Sequence, residues 1–132
     1  GGLVAGLDAG FAYNTFPTMN GQWIPDGILS MTPWYVNLGE NTITVQFDHR
    51  WLATLTGAGV VLYWFRTMSV DLSPGVQGMQ HLMLLAGLGQ ITLGVVTLLY
   101  VIPVPLAAAH QAGAMVLLST VLAAAYALKA ES

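Results

Sequence analysis

From residue 104 to residue 128 the chain carries no Asp, Glu, Lys or Arg, and two earlier stretches, 42–68 and 76–102, carry very few. A bilayer core of about 30 Å takes ~20 mostly apolar helical residues to cross, so each stretch is long enough to span it. Backbone groups in hydrocarbon must be satisfied within the segment, which selects helices over open strands. The first stretch is most apolar over residues 51–65. Composition agrees: 55% of the 132 residues are hydrophobic and only 7% charged, whereas soluble domains carry about a quarter charged residues. Three Lys/Arg and six Asp/Glu cannot cover a water-facing surface of this size. The expected fold is therefore all-α, an integral membrane helical bundle with three full transmembrane helices. The net charge of −3 excludes nucleic acid as a partner, since phosphate binding needs clustered cations. The chain has no cysteine, so disulfides, thiolate metal sites and thiol nucleophiles are excluded too.

Residues 1–10 open on an apolar Gly-Gly-Leu-Val-Ala-Gly-Leu run, too short to span and without a basic leader. They read as the end of a fourth transmembrane helix truncated upstream. Residues 11–41 mix Asn14, Pro17, Asn20, Gly21, Pro25, Asp26, Pro33 and Asn37 with Trp23, Trp34 and Tyr35. Turn formers interleaved with aromatics predict a long ordered loop at the outer membrane surface. Within it, residues 27–31 could form a short amphipathic helix. Residues 42–132 form the three-helix transmembrane unit, with a polar turn at 69–75 and a tight reversal at Pro103 and Pro105. Arg66 and Lys129 end the first and third spans on one side, which the positive-inside rule makes cytoplasmic or matrix.

Ionisable side chains inside a bilayer are costly and mark functional sites by default. His49 falls about seven residues past the first helix start, ~10 Å down, and His110 about six residues past the third, ~9 Å down. Both helices start at the outer face, so the two imidazoles share one level on parallel helices. His81 enters from the opposite face and reads as an interfacial histidine. Two imidazoles at one level can hold a heme iron from both sides. Small residues follow each: Ala53, Thr56 and Gly57 after His49, Gly113 and Ala114 after His110. Gly57 and Gly113 are therefore candidate cofactor-contact positions, and Arg50 could pair with a propionate. Gly87, Gly89 and Gly94 on the middle span suit a macrocycle or plain helix packing equally.

The residues alone leave a blander reading open. His49 and Arg50 could form an interfacial cluster with Asp48, and His110 could bond a backbone carbonyl, with Gln111 and Gln90 acting as interhelical hydrogen-bonders. Two histidines without a third ligand make a poor zinc site.

Four motifs add a resemblance. The run Gly2-Leu3-Val4-Ala5-Gly6-Leu7-Asp8-Ala9-Gly10, then Tyr13-Asn14-Thr15-Phe16-Pro17, Val45-Gln46-Phe47-Asp48-His49-Arg50 and Pro105-Leu106-Ala107-Ala108-Ala109-His110-Gln111 closely resemble the heme A synthase family, in its mitochondrial and alphaproteobacterial branch. The match runs in order across nearly the whole chain. It implies an eight-helix protein of two similar four-helix halves, of which this chain looks like the C-terminal one with most of its first helix missing. Members oxidise a methyl group of heme O to a formyl group, giving heme A for cytochrome c oxidase. The resemblance implies heme b in this half, with His49 and His110 as axial iron ligands, and places the heme O substrate mainly in the N-terminal half. It also implies a multi-pass location in the bacterial plasma membrane or mitochondrial inner membrane, with heme O synthase and oxidase assembly factors as partners. Some relatives carry a cysteine pair in the outer loops; this chain has none, and a role for such thiols does not transfer.

The leading expectation is thus the cofactor-binding half of an oxidoreductase, with no catalytic base named. Thr56 or a backbone carbonyl would orient a ligand's second ring nitrogen. Two alternatives stand beside it: a bis-histidine b-type electron-transfer membrane subunit, and a cofactor-free structural or assembly segment.

Overall fold

A computed structural model describes residues 1–131, and every regular element among them is helical. A short helix α1 (Gly2–Gly6) and a 3-10 turn (Ala9–Phe11) lead into the loop. A second 3-10 turn (Trp34–Val36) and helix α2 (Asn37–Glu40) close it, and three long helices follow: α3 (Thr42–Thr67), α4 (Pro74–Leu99) and α5 (Val104–Glu131).

Each long helix starts where local chemistry dictates. Asn41 caps α3, its side-chain oxygen accepting from the backbone N–H of Ile43 and Thr44. Pro74 opens α4 at a position where its missing N–H costs nothing. The reversal into α5 is tight enough to hold Val101 and Ile102 at φ 58° and 56°. The left-handed region costs a side-chain-bearing residue about 1–2 kcal/mol. Packing helps to offset that cost, because Ile102 lies directly against Gly10, where any Cβ would collide with it.

The long helices run antiparallel in sequence. Gly57 meets Ile91 and Val60 meets Gly87 between α3 and α4, while Gln80 reaches Ala124 and Gln90 reaches His110 between α4 and α5. Helix α4 therefore packs against both neighbours, while α3 and α5 scarcely touch each other. A small core of Val60, Met83 and Ala124 lies towards the C-terminal end of α3, bordered by Tyr63, Trp64, Met79, Leu84 and Val121.

Helices α4 and α5 are long and apolar enough to cross a membrane. Their outward faces carry exposed Leu82, Leu85, Leu88, Met115, Val116, Leu118 and Leu122, more apolar surface than a water-soluble monomer tolerates. Helix α3 matches α4 at 26 residues, but its apolar character falls short of theirs. Of the three expected spans, two meet the test and the third has the length alone. The reason lies in the first turns of α3, where Gln46, Asp48 and Arg50 stand beside the loop rather than in a purely apolar stretch.

The loop is ordered by buried asparagines. Asn37 accepts from the Met31 N–H at 2.9 Å and donates to the carbonyls of Met31 and Trp34 at 2.8 and 2.7 Å. Asn41 donates to Asn37 Oδ1 at 2.9 Å and to the Gly27 carbonyl at 3.0 Å. Asn20 and Gly21, both at positive φ, reverse the chain so that Met19 and Gln22 exchange backbone bonds of 2.8 and 3.1 Å. No helix forms at residues 27–31. Gly27 at φ 86° and Leu29 at φ 54° interrupt it, and the Leu29 N–H goes instead to the Thr44 hydroxyl. The α-helical turn nearest to it lies further on, at Asn37–Glu40, after the 3-10 turn at Trp34–Val36.

Candidate functional site

His49 sits two turns into α3 and His110 nearly two turns into α5. Because both helices flank α4 in the same direction, the two side chains arrive at one level, across the side of the bundle where α3 and α5 do not pack. Their ring centres are 6.4 Å apart, with the planes at 86°. Two imidazole–metal bonds of about 2 Å on opposite sides of one ion put ring centres about 6 Å apart, so the separation suits a shared metal.

The surroundings of each ring differ. Gly94 of α4 lies against the His110 ring, where an added Cβ would come within 2.7 Å of Cε1 and 3.1 Å of Nε2. A bare backbone at that point lets the imidazole lie along α4. His110 Nδ1 is buried without a hydrogen-bond partner, and an unsatisfied buried nitrogen is costly unless a ligand or water completes it. His49 Nδ1 lies 3.4 Å from the nitrogen of Gly1. Among the described residues no group of three or more His, Cys, Asp or Glu could hold a metal ion. A site with only two protein donors suits a metal that brings its own remaining ligands, as a porphyrin iron does. The residues present fit such a group.

A polar clamp lies beside the pair. Arg50 donates through Nη1 to the Thr15 carbonyl at 2.8 Å and through Nη2 to the Tyr13 carbonyl at 2.8 Å, with Thr18 at 3.4 Å. Gln46 donates to the carbonyls of Gly10 and Tyr13 at 3.0 and 2.9 Å. Asn14 joins the loop to the end of α4 by donating to the Leu98 carbonyl at 3.2 Å. Arg50 therefore grips the loop with both terminal amines; its Nε has no partner, and Asp48 is not among its contacts.

Gly57 and Gly113 are brought to α4 rather than to the imidazoles. A Cβ on Gly57 would collide with Ile91 Cδ1, and one on Gly113 with Gln90 Oε1. Both glycines serve the approach of neighbouring helices. Gln90 crosses between helices as its mid-span position suggests, donating to the His110 carbonyl at 2.8 Å, while Gln111 and Thr56 stand exposed. His81 lies at the other end of the bundle, where its Nδ1 accepts from Trp64 Nε1 at 3.0 Å.

Sequence reasoning missed Gln46 and did not single out Gly94 from the other glycines. Spacing carried a signal for both: Gln46 precedes His49 by three residues, and Gly94 follows Gln90 by four, one helical turn in each case.

Fold and site together define an all-α protein with membrane-grade helices and a paired-imidazole site beneath an ordered polar loop. A family model described as cytochrome oxidase assembly protein matches residues 1–122. The chain belongs to this family, that of the heme A synthases. Heme A synthase of Nitrosospira multiformis is 48% identical over 122 residues, covering 92% of this chain and 34% of that protein. The Arabidopsis thaliana enzyme is 48% identical over 122 residues, covering 92% of this chain and 27% of its own length. The human one is 39% identical over 119 residues, covering 90% and 29%. The chain thus spans about a third of the length of the curated relatives it matches. No solved structure matches it.

Proposed function

We propose that this chain is the heme b-binding, C-terminal half of a heme A synthase, the oxidoreductase that converts heme O to heme A for cytochrome c oxidase. His49 and His110 would hold its iron. The observation that carries this reading is the meeting of the two rings at 6.4 Å across the side where α3 and α5 do not pack. In this reading α3 crosses the bilayer with α4 and α5, residues 1–10 end a further helix, and residues 11–41 cap the outer surface. The membrane is the bacterial plasma membrane or the mitochondrial inner membrane. Heme O binds mainly in the N-terminal half, and heme O synthase and oxidase assembly factors are its working neighbours.

A b-type heme held by both imidazoles would supply one-electron transfer rather than oxygen binding. The chain's own residues hold and shelter that site. His49 and His110 donate ring nitrogens from two helices, and Gly94 gives the His110 ring room against α4. Arg50 and Gln46 fasten the loop beside the imidazoles. Gly57 and Gly113 support the site through helix packing, and Arg50 keeps an unpartnered Nε and a second Nη2 N–H as donors for a propionate.

The test uses the full-length protein purified with heme. His49→Ala and His110→Ala should each abolish the low-spin bis-histidine spectrum, while His81→Ala should leave it intact. Loss of that spectrum in His81→Ala alone would overturn the assignment. Conversion of added heme O to heme A separates a synthase from an electron-transfer subunit that uses the same ligands.

A further inference from the structure

Gln90 lies in the middle of α4 and spends its amide donor on the backbone carbonyl of His110 itself, at 2.8 Å. That carbonyl belongs to α5, so the bond ties one helix to the other at the residue whose side chain faces His49. Its amide oxygen is buried without a partner. The space for the Gln90 side chain exists because position 113 is glycine: a Cβ there would collide with Gln90 Oε1. One turn along the same face of α4, Gly94 lies against the His110 ring. Three residues, Gln90, Gly94 and Gly113, thus shape the backbone, the ring and the clearance around one imidazole.

The arrangement has a counterpart nearer the other end. Gln80, fully buried, donates to the Ala124 carbonyl of α5 at 3.1 Å, and its amide oxygen also lacks a partner. Both glutamines bond the backbone of α5, and the Gln90 bond is the one that holds α5 at the level of His110. Sliding by one turn would move His110 about 5.4 Å, beyond reach of a metal shared with His49. Only Gln90 makes its bond at the imidazole-bearing residue.

We propose that Gln90 is a positioning residue for His110, setting the axial level and rotation at which this imidazole faces His49, with Gly113 as the clearance that makes its pose possible. The inference rests on the reading of His49 and His110 as iron ligands. It assigns Gln90 no contact with the bound group.

The experiment compares full-length protein carrying Gln90→Leu, Gly113→Ala or Gln80→Leu, each loaded with heme. The readouts are the electron paramagnetic resonance of the ferric low-spin species and the midpoint potential. Gln90→Leu should keep heme yet lose the single low-spin species, giving a shifted or split signal and a displaced potential. Gly113→Ala should reproduce that change by pushing the amide aside, and it serves as the measurement if Gln90→Leu does not fold. Gln80→Leu should leave signal and potential as in the parent. An unchanged signal in Gly113→Ala or in folded Gln90→Leu, or an equal change in Gln80→Leu, overturns the proposal. A parent protein without a bis-histidine signal overturns instead the ligand assignment beneath it.

Discussion

Arg50 carries its charge into the first turns of a helix that stands among apolar neighbours, and the way it is satisfied decides what it does. A cation at the centre of a bilayer costs about 2.5–3.5 kcal/mol on insertion scales, whereas hydrogen bonds to charged groups each contribute about 1.5–3 kcal/mol. Bonds to the carbonyls of Tyr13 and Thr15, both at 2.8 Å, are therefore enough to offset the cost that Arg50 would meet in a spanning α3. They also make the loop depend on the guanidinium fork, because a lysine ammonium cannot span two carbonyls with the same rigid geometry. Arg50→Lys should keep the charge but free the loop, read as faster hydrogen–deuterium exchange of the amides in residues 10–18. Exchange unchanged from the parent would show that the fork does not hold the loop. The sequence shows Arg50 beside His49, which suggests an anion as its partner. Its partners within the chain lie 32 to 37 positions away, a distance over which neither spacing nor composition carries a signal.

Elements begin where single side chains permit. Asn41 caps α3 through two backbone N–H groups and fastens the loop through Gly27, Ser30 and Asn37. Losing an asparagine N-cap costs about 0.5–2 kcal/mol by itself, and here Asn37 Oδ1 and the Gly27 carbonyl would also lose a donor. Asn41→Ala should therefore lower stability by about 2 kcal/mol or more, measured as a drop in Tm in detergent. Helix starts at Thr42 and Val104 were legible from the onset of apolar runs and from Pro103 before α5 and Pro105 in its first turn, because both signals are local. The loop's own structure was not. Its short helix forms at Asn37–Glu40 instead of residues 27–31, since Leu29 takes a left-handed conformation and gives its N–H to Thr44, 15 residues on. The roles of Gly57 and Gly113 were half legible. Their place on the histidine faces follows from helical period, but which neighbour they admit depends on α4, whose side chains Ile91 and Gln90 occupy that space.

At the scale of the molecule, the pairing of His49 with His110 was the most legible feature, because equal depth on two co-directional helices is simple arithmetic along the helix axis. What the arithmetic could not supply is that α3 and α5 would leave their shared side without direct packing. Three rods fastened mainly along two edges of a triangle can still swing about the middle one; towards the outer end the imidazoles of His49 and His110 face each other across the third edge. Whatever links those rings acts as a crossbar, converting a hinge into a rigid frame. Binding to the folded form alone stabilises it by about 2.7 kcal/mol at a hundredfold excess over Kd. Heme-loaded full-length protein should accordingly melt higher than the heme-free form and resist proteolysis across α5, and equal melting of the two would count against any such brace. Delivery of the prosthetic group would then do more than equip the site: it would be the last step in giving this part of the chain its shape.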